Sequence, residues 1–532
     1  MKKIVILASL FFAFTSQSQT KRPDNWFNLD SEKDHVNGVS SEKSYEELLK
    51  GKKSTTVIVG VLDSGVDYLH EDLKDIMWTN PKEIAGNGID DDKNGYIDDI
   101  HGWNFMGNKD GRNVEKDNLE ITRVYKDLNT KYAGKTSKDL KNKVEKKEFK
   151  LYQIVKADYE KQLAESEAQS NQIKFIRDAI EGVAAKIKQQ NGTDKVTVED
   201  FKKFEAKEQK DKQGKLILLA QTANGSSYED FMKDIEEALS SMDNSRLDTN
   251  LDTRSIVGDN YNDYSEKYYG NGDCKGPGAF HGTHVAGIIA ATRKNNIGID
   301  GIANDVRIMS VRCVPDGDER DKDIANAIRY AVDNGAVILN MSFGKKYSPG
   351  KKAVDDAVKY AESKGVLLIH AAGNAAEDID EIVHYPCKKM ENKKDAPNFM
   401  DVGALSWKGD DQIAAPFSNY GKKTVDVFAP GVDIHSTVPD LNQYKDASGT
   451  SMAAPVVAGV AAVVKSYYPE LTPKQLKKIL MKSARTEFKD RKVIKPGTKD
   501  EMIEFGDLSK TGGTINLYDA LIMAQGMVKT KN

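Results

Sequence analysis

At 532 residues, 39% of them hydrophobic, the chain is long enough for roughly two to four domains, or for one large α/β domain carrying an insertion. A mean hydropathy of −0.59 and a charged fraction of 30% place a strongly polar portion somewhere in it. The net charge of −4 carries no nucleic-acid signature, because basic clusters such as residues 143–150 alternate with glutamates and read as a solvated helix face. Three cysteines, Cys274, Cys313 and Cys387, are too few for a disulfide-built fold and allow at most one bridge.

The first twenty residues read as a secretory signal peptide: Lys2 and Lys3, an apolar run over 4–14, then a small polar stretch over 15–20. The run is too short to span a bilayer and no later run is long enough, so a soluble, secreted or periplasmic protein is expected. Residues 21–53 are polar and short on apolar periodicity, which predicts an extended N-terminal segment. The run TTVIVGVL over 55–62 is β-branched and unbroken, as in a strand buried on both faces of a parallel sheet. It ends in DSGVD, which puts Asp63 where open α/β sheets place their active sites; alone, Asp63 reads equally as a turn residue before Gly65.

Over 90–98, Asp90, Asp92, Asn94, the Tyr96 carbonyl and Asp98 have the alternating oxygen spacing of a calcium loop, with Gly95 at the sharp turn. The closing glutamate is missing: His101 stands at position twelve, and Asp99 is the nearest substitute. An acidic solvated turn is the alternative. From 108 to 250 the composition shifts to Lys, Glu, Gln and Ala, without a proline between Pro81 and Pro277. Leu140, Val144, Leu151, Val155, Tyr159 and Leu163 recur at helical spacing, as do Ile176, Ala179, Ile180, Val183 and Ile187. Asn191-Gly192 reads as a stop, and Thr197 with Asp200 and Ser227 with Asp230 resemble capping boxes. The pattern predicts a helical insertion, a long hairpin plus two shorter helices packed on their own core.

The α/β pattern resumes at Gly278. HGTHVAG over 281–287 opens a helix; strand-like runs follow at 307–314, 336–341, 366–371, 399–405 and 424–428, separated by helical stretches at 323–333, 352–363 and 454–467. This alternation predicts a doubly wound, mostly parallel sheet with helices on both faces. Residues 54–107 and 251–525 would form one catalytic domain interrupted by the insertion at 108–250, with a short tail over 526–532. GTSMAAP over 449–455 sets Ser451 in a small-residue turn of the kind a nucleophile needs.

Asp63, His281 and Ser451 thus stand in one chain order, each in its own motif. DSGVD, HGTHVAG and GTSMAAP, with NMSFG at 340–344, AAGN at 371–374, FSNYG at 417–421 and VDVFAPG at 425–431, resemble the subtilisin-like serine proteases, the subtilases. The resemblance implies an endopeptidase acting on polypeptides through an acyl-enzyme. Ser451 would be nucleophile, His281 rather than the packing residue His284 its base, and Asp63 the group that orients the imidazole. Asn374 and the Ser451 N–H would bind the oxyanion. Ser342, Phe343 and Gly344 would pair with an extended peptide, facing Ala371, Ala372 and Gly373, with His384 of His384-Tyr385-Pro386 near the S1 floor. Asp72 and Asn295, with the loop over 296–299, would hold a second structural Ca2+. A monomer is expected. The insertion accounts for the long separation of Asp63 from His281, and either restricts access to the cleft or docks a protein partner. Residues 21–53 are too few for a folded prodomain. The alternative is a catalytically silent binding protein on the same fold.

Overall fold

The computed structural model describes residues 22–223, 225–241 and 244–529; the leader assigned to 1–20 lies outside them. Seven parallel strands form the central sheet: β1 (Val57–Asp63), β2 (Gly102–Asn104), β3 (Val306–Arg312), β4 (Ala336–Met341), β5 (Leu367–Ala371), β6 (Phe399–Leu405) and β7 (Val427–Pro430), in the spatial order β2-β3-β1-β4-β5-β6-β7. Strand β1 pairs with β3 on one side and β4 on the other, so the winding reverses there and the switch point falls at its carboxyl end, Asp63. Two antiparallel hairpins, β8 (Ile434–Val438) with β9 (Gln443–Ala447) and β10 (Lys492–Ile494) with β11 (Met502–Glu504), complete the strands.

The unbroken apolar runs are explained by helices on both faces. Val57, Val59 and Val61 point into one core, and Leu62 into the other. In chain order the helices are α1 (Ser41–Lys43), α2 (Glu120–Tyr132), α3 (Lys143–Asn191), α4 (Val198–Lys203), α5 (Gln209–Gln221), α6 (Tyr228–Ser241), α7 (Arg254–Val257), α8 (Phe280–Ala290), α9 (Asp321–Asp333), α10 (Lys351–Ser363), α11 (Thr450–Tyr467), α12 (Pro473–Lys482) and α13 (Leu517–Lys529). Helices α8, α11, α12 and α13 cover one face; α9 and α10 cover the other. Contrary to the expectation that no later run is long enough, α11 is by length and composition apolar enough to cross a membrane, but 83% of it is buried and it is the main core helix.

Two expectations change. Residues 22–53 are not merely an extended polar strap, for Trp26 and Phe27 are fully buried in the larger core. Trp26 Nε1 donates to the Asp433 carbonyl (3.2 Å), and Leu517 N–H of α13 to that of Val39 (2.8 Å). Two adjacent aromatics produce no periodicity, so nothing in the pattern announced an anchor. The insertion, moreover, is built on one helix of 49 residues where a hairpin was expected. At 1.5 Å per residue α3 runs about 74 Å. Asn142 caps its start and Gly192, at φ 62°, ends it, with no proline between. The polar interval between its two apolar stripes is helix in solvent. One stripe packs with α2 and Leu247, the other with α4, α5 and α6, making two small cores at opposite ends.

Candidate active site

The site is assembled at the carboxyl edge of the sheet. Asp63 is buried at the end of β1; its Oδ1 accepts the Ser64 N–H (2.7 Å) and lies 2.7 Å from His281 Nδ1. His281 is the second residue of α8, whose first turn can reach β1 because Gly282 has no side chain: a Cβ there would sit 2.2 Å from the Gly65 carbonyl oxygen. Burial works against the imidazolium, but the Asp63 charge and hydrogen bond outweigh it and hold the His281 pKa above its ordinary value. His284 is different in kind. It is buried, its Nε2 lies against the carbonyls of Ile434 (3.1 Å) and Lys445 (3.0 Å), and burial pushes its pKa down to about 4.

Ser451 is the second residue of α11. Its hydroxyl donates to the Ser342 carbonyl (3.1 Å), while Ser342 Oγ donates back to the Ser451 carbonyl (2.9 Å). Among the described residues no hydrogen bond joins Ser451 to His281. Asn374 is fixed through its oxygen, which accepts from both N–H (2.9 Å) and Oγ1 (2.8 Å) of Thr450; Thr450 Oγ1 in turn accepts from Gly373 N–H (3.0 Å). That leaves Nδ2 directed at the space before Gly449, where a Cβ would lie 3.3 Å from it.

The segment after β4 alternates in its backbone bonding. Lys345 exchanges both backbone hydrogen bonds with Tyr385 (2.8 Å each), and the Phe343 carbonyl lies 2.9 Å from His370 Nε2. Ser342 and Gly344 therefore face the other way, toward Ser451, and among the described residues the Gly344 N–H and C=O have no partner. A cavity of about 600 Å³ lies along this edge, with Ala371, Ala372 and Gly373 opposite. His384 lines it, its Nε2 2.7 Å from Glu377, which also takes Lys346 Nζ (2.7 Å). The sequence reading missed His370, which lines the same cavity with Nδ1 2.9 Å from Asp401. Its one trace in the sequence is a histidine set inside the apolar run LLIHA, whose partner Asp401 lies in another strand.

The residues read as a calcium loop are only partly gathered. Carboxylate oxygens of Asp90 and Asp92 lie within 4.8 Å of each other and of Glu83, which lies outside the loop and was not expected. Asp98 turns away and accepts from the N–H groups of Gly86 (2.8 Å), Asn87 (3.2 Å) and Gly88 (2.9 Å). Asn94 accepts the Tyr96 N–H (2.8 Å) and donates to Asp99 (3.1 Å). Three carboxylates this close repel one another unless a cation lies between them, and hard oxygen donors suit Ca2+. The second pair fits a cation less well. Asp72 is fully buried, but its oxygens already accept from Asn295 Nδ2 (2.6 Å), Ile299 N–H (3.3 Å) and the Tyr444 hydroxyl (3.3 Å), and burial raises its pKa. All three cysteines are free thiols.

A profile of the subtilase family matches residues 54–506. Similar curated proteins include the thermophilic serine proteinase of Bacillus sp. (strain AK1), 38% identical over 251 residues, or 45% of this chain and 56% of that protein. The thermostable alkaline protease of Halalkalibacterium halodurans is 38% identical over 205 residues, 38% of this chain and 52% of that one. Subtilisin BL of Lederbergia lenta is 37% identical over 206 residues, 38% and 70%. The chain thus spans about half the length of the first two. With the profile running across both halves of the sheet and the insertion between them, the chain belongs to the subtilase family.

Proposed function

We propose that the chain is an exported serine endopeptidase that cleaves polypeptides through an acyl-enzyme, and that Asp63, His281, Ser451 and Asn374 carry the reaction. The observation that carries this reading is the 2.7 Å Asp63–His281 pair, with α8, which carries His281, sharing a core with α11, which carries Ser451 at its start. An extended peptide adds as a strand to the unpaired edge at Gly344, and the N–H of its residue before the scissile bond takes the Ser342 carbonyl. That carbonyl is the acceptor the Ser451 hydroxyl uses in the free protein, so substrate binding releases the hydroxyl to turn toward His281. His281 takes the proton and later gives it to the leaving amine, while Asp63 holds the ring and steadies the imidazolium. Asn374 Nδ2 and the Ser451 N–H receive the oxyanion.

Labelling by a fluorophosphonate probe, lost in Ser451→Ala, tests the reading. An unlabelled wild-type protein would instead favour a silent binding protein. Asn374→Ala is expected to lower kcat about 10²- to 10³-fold with little change in KM, since the amide acts on charge that develops only in the transition state. Export is proposed on the basic and apolar leader over 1–20.

Glu83, Asp90 and Asp92 are proposed to hold a structural Ca2+, which when bound would neutralise their mutual repulsion. Calcium at about a hundred times its Kd should then add about 2.7 kcal/mol of stability. The check is a melting curve with and without chelator; an equal calcium response in Glu83→Gln, Asp92→Asn would place the ion elsewhere.

A further inference from the structure

The cavity that starts at Ser451 does not end on the catalytic domain. Its far wall is α3, which contributes Asp158, Lys161, Gln162 and Glu165. These positions are spaced i, i+3, i+4 and i+7, so a single helix face lies along the cleft. Tyr347, at the end of the free edge, donates its hydroxyl to Asp158 Oδ2 (2.9 Å) and joins wall to edge. The wall is tied to the rest of the molecule through α2, Leu247 and Tyr347. Lys345 and Glu120 are both buried and 2.6 Å apart, Arg123 Nη2 donates to the carbonyls of Asp318 (3.0 Å) and Glu319 (3.2 Å), and Tyr159 of α3 donates to the Leu247 carbonyl (2.7 Å).

A substrate strand with its scissile carbonyl at Ser451, running antiparallel along 342–346, puts its third residue before the scissile bond opposite Gly344. Its fifth comes opposite Lys346, about 13 Å farther from Ser342 at about 3.3 Å per residue. At that distance the next surface is α3. The geometry points to this α3 face as an additional specificity wall of the protease, reading the side chains of unfolded polypeptide three to five residues before the scissile bond. It rests on the peptidase reading above. The face carries both signs, with Lys161 and Glu165 side chains 72% and 61% exposed and 3.9 Å apart, so both are available to substrate charges. The inserted helix would thus act in selection without touching the reacting atoms.

Charge reversal on the helix tests it. Two peptides that differ only in Lys or Glu at the fourth position before the scissile bond are cleaved by wild type, Lys161→Glu, Glu165→Lys and the double swap. The Lys-over-Glu ratio of kcat/KM should rise about threefold in Lys161→Glu, fall about as much in Glu165→Lys, and return toward wild type in the double swap. Raising salt from 20 mM to 500 mM should shrink these shifts, because the charges are solvent-exposed. Both side chains are at the surface, so the variants are expected to fold, and the double swap controls for local damage. Ratios that stay together across all four proteins would overturn the wall. A wild type inert on both peptides would overturn the peptidase reading itself.

Discussion

Ser451→Ala and His281→Ala are each expected to lower kcat about a millionfold, and the double variant no further, because the two groups act as one unit; the scale is that of another subtilase. Titrating kcat/KM on a chromogenic peptide checks this against a second handle, its pH dependence. The base must be neutral, so activity is lost as pH falls through the His281 pKa. Asp63 holds that pKa above the ordinary imidazole value, which places the acid limb correspondingly high. Asp63→Asn should move the limb to lower pH and also cost about 10⁴-fold in kcat, since the ring loses its preferred tautomer. An acid limb unmoved by that substitution would mean that another group titrates.

Glu120→Ala carries the largest expected effect on stability. Glu120, at the start of α2, sits 2.6 Å from Lys345 Nζ, which also meets Asp321 (3.0 Å) and the Glu319 carbonyl (2.7 Å), all of them buried. Burial disfavours both charges, but their attraction prevails: the Lys345 pKa is raised, and Lys345 and Arg123 hold the Glu120 carboxyl down to about 2. Removing one partner leaves a buried ammonium short of compensation, a loss of about 3 kcal/mol or more. It should appear as a lower unfolding midpoint and faster amide exchange in α2. Replacing both, Glu120→Leu with Lys345→Met, should recover only part of it, since the apolar pair needs no desolvation but Arg123 loses Glu120 and Asp321 loses Lys345. A carboxyl held below its unfolded value contributes stability at neutral pH that is lost as pH falls from about 4.5 toward 2, and the Glu120 variant should lose that part of its acid sensitivity.

The parts of this molecule visible in its sequence were those that chemistry confines to a few residues. Asp63, His281 and Ser451 stand in short motifs whose glycines are set by backbone approach, as Gly282 is by the Gly65 carbonyl. The sheet was visible because strands covered on both faces admit little but branched apolar residues. What escaped depends on contacts distant in sequence. Trp26 and Phe27 have meaning only beside a core formed 250 to 500 residues later, Glu83 only once the acidic loop folds back to it, and His370 only beside Asp401. The second apolar stripe of the insertion and the Val155, Tyr159 and Leu163 part of the first mark packed helix, whereas Leu140 precedes α3, Val144 and Leu151 are exposed, and the solvated stretch between the stripes is helix where a hairpin was expected. Periodicity reports burial, and an exposed helical interval has none.

The joining of the two ends of the described chain has a consequence for how the protein is made. Asn516 Nδ2 donates to Ser40 Oγ (2.8 Å) and Tyr518 to Glu47 (2.9 Å), across 476 and 471 residues of sequence. Contacts of such separation carry the greatest loop-closure entropy and slow the steps that depend on them. The serine, too, arrives 170 residues after the histidine it would work with. A growing chain therefore has neither a sealed core until residues 516–518 have been made nor the three proposed site residues together until Ser451 has.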